Sequence, residues 1–190
     1  AVCCGGGLVR YFLQVAGTVD AVPLLDQVAV QPDLWNQNGL RREYPDSPHA
    51  VVDDIWLRFQ DLDVPADQVP DTNESVCYPA WDKLPAAQDI VFALMARVRG
   101  VRLGRVIITR LPMGKVIAAH CDGGGVADYY QRYQVCLQAT AGNVLRCEDE
   151  SISMRSGEVW MFNNLLEHEV INNGSDDRIV MIVDIAGAKS

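Results

Sequence analysis

The stretch RVIITRLPMGKVIAAH (residues 105–120) decides the fold that we predict for this chain. It consists of two short runs rich in β-branched residues, divided by the turn residues Pro112-Met113-Gly114. Such runs, bounded by Pro and Gly, are typical of short strands. Further runs of the same kind follow at residues 133–138, 143–147, 158–162, 168–172 and 178–185. Many short strands in succession predict an all-β barrel or sandwich, here of the jelly-roll type.

The first hundred residues have a more mixed pattern. Apolar stripes predict a helix near residues 20–28 and a clearer one over 84–99, which Gly100 would end. VVDDIWLRFQ (51–60) predicts a strand. The proline-dotted residues 61–80 predict a long surface loop.

These patterns predict one mainly β domain with flanking helices over residues 8–190. Residues 8–100 would form its helical and mixed part, and residues 101–190 its jelly-roll core. The opening AVCCGGG (1–7) is interpreted as a flexible tail.

Charge and cysteine content restrict the partners. The formal net charge of −9 repels phosphate backbones, so we do not expect nucleic acid as a partner. No apolar run is long enough to span a bilayer, so we expect no membrane either. The six cysteines form no CxxC pair, and a chain of 190 residues can build a core without disulfides. Reduced thiols and the cytoplasm are the natural interpretation.

His120-x-Asp122 closes the quoted stretch, and His168 opens a later strand. Residues i and i+2 of a strand project from one face, so His120 and Asp122 can point into one cavity. Two imidazoles and one carboxylate form the facial triad of non-haem Fe(II) oxygenases, which leaves positions open for a co-substrate and O₂. An HxD motif alone is common by chance. No catalytic residue beyond this metal centre is predicted.

Arg178 supports the hypothesis of a metal site with a co-substrate, because it stands at the start of an apolar strand over residues 179–185. A buried arginine needs an anionic partner, and its planar fork fits a carboxylate. The far carboxylate of 2-oxoglutarate would be such a partner. A surface ion pair with a nearby acid is the alternative. Arg132 and Gln134 share one face of their strand, and either line the same cavity or are solvated.

Residues 105–185 resemble the aspartyl/asparaginyl β-hydroxylase family, a branch of the Fe(II)/2-oxoglutarate oxygenases. The resemblance rests on five ordered runs: ITRLPMGKVIAAHCD, RYQVCLQ, Leu145-Arg146-Cys147, SGEVWMFNNLLEHEVIN and RIVMIVD. It implies a distorted double-stranded β-helix of cupin-like type, so that residues 8–190 form a single oxygenase domain. Fe(II) would be the metal and 2-oxoglutarate the co-substrate.

The resemblance also implies roles for particular residues. His120 and His168 match the iron-binding histidines of the family. Its co-substrate contacts fall on four residues: Arg178, Thr109, Arg132 and Gln134. Asp122 stands where the animal enzyme lacks a carboxylate ligand, and Gln134 replaces a histidine of that enzyme.

The implied activity is a dioxygenase that hydroxylates an amino acid, peptide or protein side chain and releases succinate and CO₂. O₂ and an amino-acid, peptide or small-molecule substrate would be its partners. In SPHAVVDDIWLRF (47–59), the candidate substrate contacts are His49, Asp53 and Arg58. An edge strand with solvated charges is the alternative for these residues.

Two other classes of function stay open from the sequence. One is a non-catalytic cupin-like protein that binds a small molecule, which would not need Arg178 together with Thr109 and Arg132. The other is a cupin-type isomerase or hydrolase. Such enzymes typically use more histidine ligands than we expect this chain to offer.

Overall fold

The computed structural model describes residues 10–15, 17–62 and 73–187. The predicted tail (1–7), with Cys3 and Cys4, lies outside these ranges, as does half of the predicted loop (63–72). Within them the chain forms the following α-helices: α1 Val22–Ala29, α2 Leu40–Glu43, α3 Pro79–Lys83, α4 Pro85–Val98 and α5 Gly125–Tyr129. The strands are β1 Phe12–Val15, β2 Asp53–Phe59, β3 Val76–Cys77, β4 Gly100–Leu111, β5 Val116–His120, β6 Gln131–Gln138, β7 Asn143–Cys147, β8 Glu150–Ile152, β9 Val159–Phe162, β10 His168–Asn172 and β11 Arg178–Gly187.

The strands form two antiparallel sheets. The larger has the order β1-β9-β6-β11-β4-β2-β3, and the smaller the order β5-β10-β7-β8. Consecutive strands alternate between the sheets: β4 lies in the larger, β5 in the smaller, β6 in the larger and β7 in the smaller. The prediction of a mainly β jelly roll with flanking helices is confirmed.

The larger sheet has an apolar core on each face. Tyr133, Val135 and Leu137 of β6 pack with the residues of α1, α3 and α4 in one core. Cys136, on the other face of β6, belongs to a second core with Ile117 and other residues of the smaller sheet. Alternation along each strand therefore directs every second side chain into the space between the sheets.

Two sequence expectations differ from the structure. The boundary at residue 100 does not separate the sheet, because β1 and β2 from the first part of the chain join β9 and β4. Gly100 does not end α4 either: Arg99 takes the left-handed conformation at φ 55°, and Gly100 already begins β4. A Cβ at Gly100 would lie 2.4 Å from Cγ2 of Ile185, so this glycine serves the close approach to β11.

Within the described ranges, every helix is too short or too polar to pass through a bilayer.

Candidate metal centre and co-substrate pocket

His120 and His168 lie side by side on the smaller sheet. His120 ends β5 and His168 begins β10, and the register of the two strands makes them direct partners. Their ring centroids are 4.2 Å apart. Antiparallel pairing thus brings together two histidines that are far apart in the sequence, as the strand pattern predicts.

Backbone carbonyls orient both imidazoles. Nδ1 of His120 lies 2.7 Å from the carbonyl oxygen of Ala118, and Nδ1 of His168 lies 2.9 Å from that of Leu166. Because a carbonyl only accepts, each Nδ1 carries the proton and each Nε2 keeps a free lone pair. Nε2 of His120 is buried without a hydrogen-bond partner. Burial also lowers the pKa of His168, which favours the neutral ring that a metal requires.

Asp122 lies next to this pair, and its two oxygens have different surroundings. Oδ2 accepts hydrogen bonds from Arg132 and from Nδ2 of Asn164, the latter at 2.9 Å. Oδ1 faces Nε2 of His120 at 3.6 Å. Burial disfavours the charged carboxylate, yet Arg132 and Asn164 hold the pKa of Asp122 well below its usual range. One oxygen of an ionised carboxylate is therefore left for a cation beside His120.

Arg132 is the buried cation that orients Asp122. Asp184, its partner across β6 and β11, accepts from Nε at 2.9 Å and from Nη2 at 3.0 Å. The remaining nitrogen, Nη1, donates to Asp122. Burial opposes the charge on Arg132, but Asp184 and Asp122 raise its pKa above the ordinary value. All three of its nitrogens donate to protein carboxylates, so the predicted co-substrate contact of Arg132 stays a prediction.

Arg178 is a buried charge in the space between the sheets, at 2% exposure. Its Nη2 donates to Oε1 of Gln134 at 2.9 Å, whereas its Nε is buried without a partner. Within the described ranges no carboxylate lies at ion-pair distance from Arg178. Burial lowers its pKa to about 10. An unpaired buried guanidinium is costly, and an anionic ligand would relieve that cost.

Thr109 faces the same space from β4. Its hydroxyl donates to Oδ1 of Asp54 at 2.7 Å. Arg41 of α2 donates to Oδ2 of Asp54 at 2.7 Å and lies 3.4 Å from the Thr109 oxygen. Arg41, Thr109, Gln134 and Arg178 line one small cavity of about 30 Å³ together with His120 and His168.

His49 is brought into the metal centre by the fold. Its ring centroid lies 5.1 Å from that of His120, at 86°. In the described chain, one group of three ligand atoms lies within 4.8 Å of one another, and it consists of His49, His120 and Asp122. Burial, with Arg41 and His120 beside it, lowers the pKa of His49 to about 2, so the ring is neutral. Sequence reasoning had placed His49 only among the substrate contacts.

A larger cavity of about 540 Å³ opens outward from the metal centre and shares His49, His120 and Arg132 with the small one. Arg105 of β4 lines its wall. The guanidinium of Arg105 packs 4.5 Å from the ring of Phe59 and donates to Gln60 at 2.5 Å, while its Nε is buried without a partner. Sequence reasoning missed Arg105. The available signal was the strand spacing: Arg105 stands two residues before Ile107, which also lines the cavity, and residues i and i+2 of a strand share a face.

Two predicted substrate contacts lie elsewhere. Asp53 pairs with Arg110 at 2.8 Å and lines neither cavity. It lies on the face of β2 opposite Asp54, because neighbouring residues of a strand point to opposite sides. Arg58 donates to the carbonyl of Ser75 at 2.8 Å and lines a separate groove near α3. The substrate role of Asp53 and Arg58 stays a prediction, and neither residue lines the two cavities at the candidate metal centre.

Comparison with known families identifies the chain. Residues 72–187 match the family described as Aspartyl/Asparaginyl beta-hydroxylase. The chain belongs to this family. No curated protein matches it in sequence.

Solved structures share the fold at low sequence identity. A prolyl hydroxylase from Trichoplax adhaerens, in complex with a hypoxia inducible factor oxygen degradation domain peptide fragment, superposes with a TM-score of 0.60 at 13% identity, covering 94% of this chain and 84% of that chain. The viral collagen prolyl hydroxylase of Paramecium Bursaria Chlorella virus-1, in its 2OG complex, gives 0.52 at 13% identity, with 100% of both chains covered. A 2OG-Fe(II) oxygenase family oxidoreductase from Burkholderia pseudomallei gives 0.51 at 18% identity, covering 71% of this chain and 66% of that one.

Family membership makes this protein an Fe(II)/2-oxoglutarate-dependent hydroxylase. The described residues fit both groups. The buried Nε2 of His120 lacks a partner that a metal would provide, and the buried Nε of Arg178 lacks an anion that a carboxylate would provide. A non-catalytic binding module is not better supported.

Proposed function

We propose that His120, Asp122 and His168 hold the Fe(II) and that Arg178 holds the far carboxylate of 2-oxoglutarate. The single observation that carries this proposal is the buried, unpaired guanidinium of Arg178 in the same small cavity as the two paired histidines. A charge without a partner at 2% exposure destabilises the folded protein. We therefore infer that Arg178 is present in order to bind an anionic ligand.

The surrounding residues orient these groups. Gln134 accepts from one nitrogen of Arg178 and leaves Nε directed at the ligand. Asp54 accepts the proton of Thr109, so the hydroxyl oxygen of Thr109 would reach the co-substrate only as an acceptor, or after rotating away from Asp54. Asp184 and Arg132 fix Asp122 in its ionised form. When bound, iron, 2-oxoglutarate and O₂ together supply the oxidation that hydroxylates the substrate and releases succinate and CO₂.

The outer cavity of about 540 Å³ is the proposed substrate site. Its size is ordinary for a ligand pocket, and it reaches the metal centre through His120 and Asp122. Among the described residues no carboxylate lies within ion-pair distance of Arg105, which faces this cavity. We therefore propose that the substrate carries an anionic group that binds Arg105. This substrate is an amino acid, a peptide or a protein side chain.

We also place the protein in the cytoplasm. Cys136 and Cys147 are free and buried, and Cys77 and Cys121 are free and exposed. Burial raises the pKa of Cys136 to about 11, so this thiol is unreactive, but exposed free thiols favour a reducing compartment.

The test of the metal and co-substrate assignment uses purified protein with Fe(II), ascorbate and 2-oxoglutarate. We expect slow succinate formation without substrate, lost in Asp122→Ala and in Arg178→Lys, because lysine cannot reproduce the planar fork. Arg155→Lys, at an exposed residue that lines neither cavity, is the matched control and should keep the wild-type rate. If Arg178→Lys binds 2-oxoglutarate as tightly as the wild type, the assignment of Arg178 is wrong.

The substrate assignment is tested by a screen of amino acids and peptides that follows succinate release. Arg105→Gln should raise the KM for any anionic substrate found, while uncoupled succinate formation stays unchanged. Equal KM values for Arg105→Gln and the wild type would reject the role of Arg105.

A further inference from the structure

His49 differs in origin from the other residues around the metal centre. His120, His168 and Arg132 belong to strands of the two sheets, whereas His49 lies in the turn between α2 and β2. Its backbone N–H donates to Oγ of Ser47 at 3.2 Å, and its carbonyl accepts from Val52 at 3.2 Å. A turn can shift without breaking a sheet, so the position of His49 can change while the strand residues stay in place.

The ring of His49 is placed like that of a ligand. A ligand atom of His49 lies within 4.8 Å of those of both His120 and Asp122, a spacing that one metal ion can bridge. Its Nδ1 is buried and has no hydrogen-bond partner, as is true of Nε2 of His120. Two buried, unpartnered imidazole nitrogens beside an ionised carboxylate are the arrangement that a metal ion satisfies.

The inner cavity gives a second, independent argument. Its volume of about 30 Å³ has room for a few waters, at roughly 10–15 Å³ each. In the proposed binding mode 2-oxoglutarate reaches from Arg178 to the metal, so it would compete for this space with the side chains that line it. Of the residues that line it, Arg41 and His49 come from outside the sheets. Arg41 is held by Asp54, so His49 is the side chain that can leave.

We infer that His49 is a fourth, displaceable ligand of the metal, which 2-oxoglutarate replaces on binding. This inference rests on the proposed function of His120, Asp122 and His168. With His49 bound, one position fewer would be open to the co-substrate and O₂, so His49 would compete with the co-substrate for the metal. A substitution that removes the imidazole of His49 should therefore weaken metal binding and strengthen co-substrate binding.

The experiment uses protein labelled with ¹⁵N-histidine and Zn(II) as a diamagnetic probe metal. The chain has three histidines, so two-bond ¹H–¹⁵N spectra can assign each ring with the variants His49→Gln and His168→Gln. We expect Zn(II) to shift a ring nitrogen of all three. Added 2-oxoglutarate should return His49 to its metal-free shift and leave His120 and His168 bound.

Affinities provide the second measurement. His49→Gln should weaken Zn(II) binding by at least roughly tenfold and tighten 2-oxoglutarate binding to the Zn(II) form, because the competing ring is gone. Arg155→Lys, at an exposed residue that lines neither cavity, is the control and should change neither affinity.

The outcomes separate the two proposals. If Zn(II) leaves His49 unshifted, or if His49 stays bound in the presence of 2-oxoglutarate, the inference about His49 is overturned while the proposed metal set stands. If His168 stays unshifted, the proposed metal set itself fails, and with it the role of His49 as a fourth ligand.

Discussion

Arg178 shows how one residue serves function at the expense of stability. It is 2% exposed, and its Nε has no partner. The nearby groups are an amide and a thioether, Gln134 and Met154, and neither neutralises the charge. A side chain selected for folding alone would be apolar at this place.

The first prediction concerns this cost. Arg178→Met should leave the free energy of unfolding unchanged or raise it by about 1–3 kcal/mol, because an unpaired buried charge is removed. 2-Oxoglutarate with Mn(II) should raise the Tm of the wild type and have no such effect on the variant. Thermal unfolding with and without both ligands measures this. A variant that is much less stable, but still stabilised by 2-oxoglutarate, would contradict the prediction.

The second prediction concerns Asp184, which holds Arg132 from behind. Asp184→Asn should weaken the affinity for Fe(II) by roughly 10–100-fold, because Arg132 loses its carboxylate partner and orients Asp122 less firmly. Metal titration of the folded protein measures the effect. Asp53→Asn breaks the Arg110 pair, also between strands of the larger sheet but outside both cavities, and should leave metal affinity unchanged. Equal losses in both variants would mean that Asp184 acts only through general stability.

At the scale of elements, alternation along the strands builds the site. Arg132 and Gln134 on β6 share a face with Cys136, which packs between the sheets, whereas Tyr133 and Val135 face the helices. The sequence left open whether Arg132 and Gln134 face a cavity or solvent. Packing of α1, α3 and α4 on the opposite face of the larger sheet decides it, since both faces are then covered and the polar residues lie inside.

The third prediction concerns the end of α4. Arg99 is in the left-handed conformation at φ 55°, which costs a residue with a Cβ about 1 kcal/mol relative to glycine. Arg99→Gly should therefore raise the free energy of unfolding by up to about 1 kcal/mol. Arg97→Gly, inside α4, should lower it by about 1 kcal/mol. Urea unfolding of the two variants provides the comparison, and a loss of stability in both would reject the capping argument.

For the whole molecule, the three histidines meet in one place although they come from a turn and from two strands. Their meeting requires both sheets and the segment before β2. His49 lies beside His120, so all three histidines of the chain gather at the candidate metal centre. Family membership, not histidine count, identifies the protein as a hydroxylase.

The fourth prediction is a pH dependence of stability in metal-free protein. Burial is the largest cause that lowers the pKa of His49 from 6.5 to about 2, with Arg41 and His120 adding to it and Asp122 opposing it. Below pH 6.5 the unfolded chain therefore binds a proton that the folded state refuses, so the free energy of unfolding falls as pH falls toward 2. Urea midpoints between pH 7.5 and 5 should decrease. The decrease should be smaller in His49→Gln, and an equal decrease would show that His49 does not contribute.

Much of the fold could be predicted because it depends on local pattern. In the sequence, the segments that form β4 to β7 and β9 to β11 stand out as β-branched runs between turn residues. β8 was missed, since Glu150–Ile152 is short and polar. Pro79 was assigned to a loop and instead lies in the first turn of α3, where its missing N–H costs nothing.

The sequence by itself indicated the residues that we propose for the metal and the co-substrate. His120 and Asp122 share one face of a strand by period-two geometry, and the family resemblance adds His168 and Arg178 at the start of other strands. Only the tertiary structure decided that Asp184 holds Arg132, that Asp54 rather than Asp53 contacts Thr109, and that His49 lies beside His120 and Asp122. These three contacts connect segments distant along the chain. Their partners are selected by sheet register and by the packing of a turn, which no local pattern encodes.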